Sequence, residues 1–235
     1  MKRVLIVVVA MLGLLPVWSA EALTVQLGDQ DLVSGTFHVS GDLTSTAAGD
    51  PAFFNSPCGS DSALNCSLSW ALPAFGTSGQ TITGATLTLG ILDHDSAAAG
   101  DQVALYTLNG NDLTASLNTQ FESFGGVSGK FCTGPNGPNT VFCSEYDVYT
   151  VTVPIAAVSS PATVVLALQG PGIGVLGPTA FNGAFIDFSR LDITTIPNET
   201  NVPEPATVAL LAAGLSGFVA RRLSRRISGA SSLMA

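Results

Sequence analysis

Alternation with a period of two is the feature that most narrows what this chain can fold into. Thr86-Leu87-Thr88-Leu89-Gly90-Ile91 and Val148-Tyr149-Thr150-Val151-Thr152-Val153 place polar and apolar residues in turn. In an extended segment this sends every apolar side chain to one face. Thr163 to Leu168 follows the pattern less cleanly, and shorter alternating segments surround His38 (Thr36-Phe37-His38-Val39) and Trp70 (in step with Leu68 and Leu72). Val103-Ala104-Leu105-Tyr106 runs toward Asn109-Gly110, a dipeptide that supplies the positive φ angles of a tight hairpin turn. Ala184 to Phe188 opens a last strand that continues to about Ile193, and its slip in alternation between Phe188 and Leu191 reads as a bulge. No eleven-residue stretch of this body carries a persuasive 3.6 period, and Lys, Glu and Gln are scarce. Short strands punctuated by turn residues predict an all-β fold, an antiparallel β-sandwich of jelly-roll type. Residues 133–139 and 170–182 read as its loops.

Both ends fall outside this pattern. Lys2 and Arg3 precede an apolar run from Val4 to Leu15, and Ala20-Glu21-Ala22 offers the small residues that signal peptidase accepts. Residues 1–22 therefore read as a signal peptide, with the exported chain beginning near Leu23. At the other end Pro203-Glu204-Pro205 leads into Ala206 to Ala220, fifteen residues without charge, and then Arg221, Arg222, Arg225 and Arg226. Pro205 suits the first turn of a helix, and Glu204 and the arginines complement its two ends. At 1.5 Å per residue the run covers about 22 Å, against a hydrocarbon core of roughly 30 Å. Val202, Leu223 and the long arginine stems extend it by snorkelling. Four arginines and no acid after the span place that side in the cytoplasm. The segment predicts a single C-terminal transmembrane helix.

Val202-Pro203-Glu204-Pro205, the Ala/Leu/Gly-rich span and the arginine cluster resemble the PEP-CTERM sorting signal of bacterial exported proteins. The resemblance covers residues 202–226, and the extension Ile227 to Ala235 departs from many family members, which stop sooner. It implies recognition by an exosortase, a membrane transpeptidase-like enzyme that cleaves at or near the motif, in bacteria that make extracellular polysaccharide. The expected organisation is a signal peptide (1–22), a β-sandwich ectodomain (23–193), a linker (194–201), the sorting signal (202–226) and a short tail (227–235).

Charge separates along the same lines. Only 11% of residues are Asp, Glu, Lys or Arg, and the formal net charge is −9, where an average soluble domain has roughly 25% charged residues. Six of the eight bases lie in the two ends, so between residues 23 and 202 fifteen acids face only Lys130 and Arg190, a net charge of −13. A surface this acidic repels a phosphate backbone and excludes nucleic acid as a partner. Metal cations and neutral sugars suit it better.

Cys58, Cys66, Cys132 and Cys143 form an even set in an exported chain, which reads as two disulfides. Three connectivities are open; local pairs, Cys58 with Cys66 and Cys132 with Cys143, are the simplest. Zinc wants closer cysteine spacing than is present here.

Candidate chemistry concentrates in Asp93-His94-Asp95, after the strand ending at Ile91, with Asp101 across a small-residue loop. Alternate residues of an extended segment point one way, so Asp93, Asp95 and Asp101 form a candidate oxygen-ligand set for Ca²⁺. Asp187 and Asp192 are weaker candidates, Asp192 as a partner of Arg190. No G-x-S-x-G, P-loop or H-E-x-x-H is present, and neither His38 nor His94 comes with an evident nucleophile. Trp70, Tyr106, Tyr146 and Tyr149 could stack on sugar rings, although Trp70 sits in step with core positions.

The resulting expectation is an exported, exosortase-sorted protein of the cell surface or extracellular matrix, non-enzymatic and structural or adhesive. Its expected partners are signal peptidase, exosortase, the membrane as a transient anchor, and extracellular polysaccharide. A Ca²⁺-dependent carbohydrate-binding module is the alternative reading and a secreted hydrolase the third.

Overall fold

The computed structural model describes residues 20–43, 49–92, 95, 98–124, 130–134, 136–174 and 177–198. The expected signal peptide, apart from its last three residues, lies outside these residues, as do the sorting motif, the apolar span and the arginines. The chain divides into two units, 1–196 and 197–235. Among the described residues no helix is long and apolar enough to cross a membrane.

Eight strands carry the first unit: β1 (Glu21–Gly28), β4 (Ser67–Ala71), β5 (Gln80–Leu92), β6 (Val103–Leu108), β7 (Asn111–Asp112), β9 (Gly137–Thr152), β10 (Thr163–Leu168) and β13 (Ala184–Pro197). They form two sheets, ordered β1-β13-β5-β9 and β4-β10-β6-β7. Numbered first to eighth along the chain, the strands lie in the orders 1-8-3-6 and 2-7-4-5, the two interleaved Greek keys of a jelly roll. Shorter strands extend the frame. β2 (Thr36–His38) lies beyond β9, β3 (Pro57–Cys58) pairs with β13, β8 (Lys130–Gly134) pairs with β9, and β11 (Gly172–Gly174) with β12 (Gly177–Thr179) makes a separate hairpin. Every pairing with a defined register is antiparallel.

Register turns the alternation into a core. Leu87 lies opposite Val151 and Leu89 opposite Tyr149, so one face of this strand pair presents an unbroken apolar surface. Against it, from the other sheet, pack Trp70, Val103, Tyr106, Leu108, Val164, Leu166 and Leu168, all buried. In β13 the inward parity changes from Ala184 and Ile186 to Leu191 and Ile193, while pairing with β1 runs unbroken. Phe188 falls at the switch, where a Cβ on Gly90 would come within 2.6 Å of its ring. Gly90 therefore leaves room for Phe188 and for the Tyr146 hydroxyl on the outer side of the sheet. Here a second, smaller core forms from Leu32, Leu43, Leu92 and Tyr146.

Asn109 (φ 50) and Gly110 (φ 76) both adopt left-handed angles and join β6 to β7 with Leu108 opposite Asn111. This is the two-residue turn expected from the sequence. The expectation of a body without helix is corrected by α1 (Thr114–Phe124). Leu113, Leu117 and Phe121 stand at intervals of four and are buried, and the Phe121 ring lies 4.5 Å from that of Tyr149. Asp112 accepts a hydrogen bond from the Thr114 N–H (2.9 Å), supplying a partner to a donor that the first helical turn leaves open.

Candidate functional site

Both expected local disulfides are present, Cys58–Cys66 and Cys132–Cys143. The first closes a small loop whose backbone folds on itself through Ser60 N–H to Leu64 O (2.7 Å). Gly59 (φ +74) permits this turn, since a Cβ there would lie 2.5 Å from the Leu64 carbonyl. The loop is tied to the start of β13: Cys66 N–H donates to Asn182 O, Asn182 N–H to Asn65 Oδ1, and Gly183 N–H to Asp61 Oδ1, each at 2.8 Å.

That last bond fixes Asp61 at the rim of a cleft of about 360 Å³. Ser60, Asp61 and Ser62 form one wall; Gly174, Gly177, Pro178 and Thr179 of the β11–β12 hairpin form the other. Asp95 reaches the same place from the loop after β5, in a left-handed conformation (φ 56), and hydrogen-bonds to Asp61. A Cβ on Gly172 would sit 2.6 Å from Asp95 Oδ2, so the absence of a side chain there admits the carboxyl. A hydrogen bond between two carboxyl groups needs a proton. Burial pushes the Asp61 carboxyl above its ordinary range, and the Gly183 N–H and Asp95 pull it back.

Of the three aspartates singled out in the sequence, Asp95 therefore meets Asp61, an acid that sequence spacing did not suggest. Asp101 is exposed, with its backbone carbonyl taking the Gln169 amide (2.9 Å). Asp93 and His94 lie outside the described residues. Among the described residues no group of three or more His, Cys, Asp or Glu side chains is placed to hold a metal. Asp192 pairs with Arg190 (2.9 Å) and accepts the Thr24 hydroxyl (2.6 Å).

A second acidic group lies on the outer side of the large sheet. Asp187 is fully buried; its Oδ2 accepts the Tyr146 hydroxyl (2.6 Å) and the Asp31 N–H (3.3 Å), and its Oδ1 has no hydrogen-bond partner. Burial pushes the Asp187 carboxyl up to about 6, with Asp31 and Asp29 raising it further and the two donors acting against them. Asp147 accepts Ser34 Oγ–H (3.1 Å) and Gly35 N–H (3.0 Å). Asp187 on the outer face and Asp147, on the Tyr149 side of β9, thus fasten residues 31–35 to the sheet.

His38 joins a third constellation. Its Nε2 lies 2.7 Å from Thr36 Oγ1 and its Nδ1 3.2 Å from Asp42 Oδ2. The order hydroxyl, imidazole, carboxylate resembles a hydrolytic relay. The Thr36 hydroxyl also contacts the Val33 carbonyl, which ties the set to the backbone around β2.

The four rings named as sugar platforms take a different role. Tyr106, Tyr146 and Tyr149 have no exposed surface and Trp70 only 4%: Trp70, Tyr106 and Tyr149 face the main core, and Tyr146 is covered in the second, smaller one. Stacking on a saccharide through them is ruled out by burial. Among the described residues the large exposed aromatic is Phe131 (53%), on the hairpin stapled by Cys132–Cys143. Its ring meets Phe142 edge-on at 5.6 Å, and beside it the Lys130 ammonium sits 4.0 Å above the ring of Phe37.

Comparison with known proteins gives one family match: residues 201–226 fit the PEP-CTERM protein-sorting motif. No curated protein matches the chain. The motif marks the chain as an exported protein targeted to an exosortase.

Proposed function

We propose that the ectodomain is a non-enzymatic, structural or adhesive module delivered to the cell surface or extracellular matrix, where it associates with exopolysaccharide. The observation that carries this reading is the sorting motif at residues 201–226, which follows β13 after a few residues. The ectodomain adds support of a different kind. It is a disulfide-stapled jelly roll, built for an oxidising exterior. In this reading signal peptidase removes the leader, the C-terminal helix anchors the chain in the membrane for a time, and exosortase acts at Val202-Pro203-Glu204-Pro205. Mass spectrometry of the exported protein tests the processing: the expected product ends near residue 203, and a tail intact to Ala235 overturns it. Recovery of the processed protein with washed matrix, and its loss from that fraction when exopolysaccharide synthesis is disabled, tests the association.

A second reading, Ca²⁺ binding, draws on the Asp61–Asp95 pair, because a divalent ion suits two carboxyl groups that lie within hydrogen-bonding reach of each other. Calorimetric titration of the exported protein with Ca²⁺ tests it. Heat in the wild type that disappears in Asp95→Asn supports it, and no heat with an unchanged melting temperature discards it.

A further inference from the structure

The ectodomain is acidic almost everywhere, which makes its few cations informative. Between residues 23 and 202 the only bases are Lys130 and Arg190, and Arg190 is held by Asp192. Lys130 is exposed at the start of β8, next to Phe131, whose ring is half in solvent. Cation and apolar ring are thus presented together on a two-stranded arm stiffened by a disulfide. The complementary feature is the cleft between the Cys58–Cys66 loop and the β11–β12 hairpin. It offers apolar surface from Pro178 and the glycines, and the Asp61 carboxyl at its rim.

We propose that ectodomains associate head to tail, the Lys130–Phe131 arm of one copy entering the Asp61–Pro178 cleft of the next. A two-fold contact from arm to arm would bring like charges together, whereas arm-to-cleft contact pairs the lysine with Asp61. Heterologous contacts of this kind repeat, and they build open chains unless the rotation happens to close a ring. The contact deepens the structural reading above by naming a second copy of this chain as the partner. It is tested in solution, so its failure would leave sorting and matrix localisation untouched.

The experiment is sedimentation velocity on the processed, exported protein over a range of concentration and salt, with EDTA present to remove bridging metal. The expected result is a mass that rises with concentration and falls as salt screens the contact. Lys130→Glu and Phe131→Ser are each expected to weaken association about tenfold or more while the monomer stays folded, although each gives up one intramolecular contact, with Phe37 and Phe142 respectively. Since Asp61 also holds Gly183, the receiving face is tested without altering it. Phe131→p-benzoylphenylalanine is irradiated in a mixture of isotopically light and heavy protein, and light–heavy cross-links to residues 60–62 or 177–179 are expected. A wild type that stays monomeric, an arm variant that associates like the wild type, or cross-links confined to other surfaces overturns the proposal.

Discussion

Asp187 shows how one buried side chain couples the outer layer of this fold to pH. Its carboxyl has no exposed surface, one oxygen with two donors and one with none. The groups facing it are Tyr146 from β9 and the acids Asp29 and Asp31 from the segment after β1. Burial is the largest influence and raises its pKa to about 6, so the folded state prefers the protonated acid more than the unfolded chain does. That preference stabilises the fold below the ordinary carboxylate pKa and is lost as pH rises through about 6. A displacement of roughly two pH units corresponds to about 3 kcal/mol at neutral pH. Asp187→Asn keeps the shape without the charge, and it is expected to gain stability over the wild type by about 2 kcal/mol or more between pH 4.5 and 7.5. Urea unfolding at several pH values measures this; a difference that stays flat with pH contradicts it. Gly90 makes the same layer possible by leaving room for Phe188 and the Tyr146 hydroxyl. Gly90→Val is expected to cost a few kcal/mol through overpacking, read as a fall in melting temperature.

At the scale of elements, alternation reported faces reliably and helices poorly. Leu87, Leu89 and Ile91 lie on one buried face as the sequence indicates, and Asn109-Gly110 turns as its φ preferences require. The helix Thr114–Phe124 escaped because its composition, rich in Thr, Ser and Asn, is poor in intrinsic helix formers. The signal was nevertheless present as Leu113, Leu117 and Phe121, spaced by four and packed against Tyr149. Tertiary burial overrides propensity here. Phe121→Ala is therefore expected to cost about 3–5 kcal/mol, far more than substitution of a solvent-facing position such as Glu122. Chemical unfolding of the two variants separates these cases, and near-equal losses would mean that the helix does not depend on this packing. The acidic cleft was harder to read. Asp61 and Asp95 are far apart in sequence and meet only because a disulfide loop and a glycine-lined hairpin converge, which no local spacing encodes.

For the molecule as a whole, alternation identifies which side of a strand is buried but not which strand lies beside it. The interleaved order became legible only in the fold: the last strand, β13, lies between β1 and β5. Glu21 consequently sits opposite Thr195, and Ala22 opposite Thr194. Gln80 links the same corner, donating to Glu21 (2.5 Å) and accepting the Thr195 hydroxyl (3.1 Å). The residues next to the expected leader cleavage site are thus paired with those that lead into the sorting signal. Cleavage after Ala22 removes two rungs of this ladder and leaves Leu23 opposite Ile193, a core residue. A large sheet whose central strand comes last cannot close until residues 184–196 have crossed the membrane, and its contacts are long-range, which slows folding. The β1–β13 ladder should therefore be among the last structure to form and should control completion of the core. A chain lacking residues 21–28 is expected to leave the edge of β13 unpaired, to expose Leu191 and Ile193, and to aggregate. Substituting only Gln80 by Ala in the processed chain removes the acceptor of the Thr195 hydroxyl and should leave the core intact while lowering the melting temperature slightly. Hydrogen exchange measured by mass spectrometry distinguishes these outcomes: in this variant faster exchange should be confined to residues 23–24 and 192–195. If protection were lost across β5 and β9 as well, the corner would be part of the global folding unit rather than its last-formed edge.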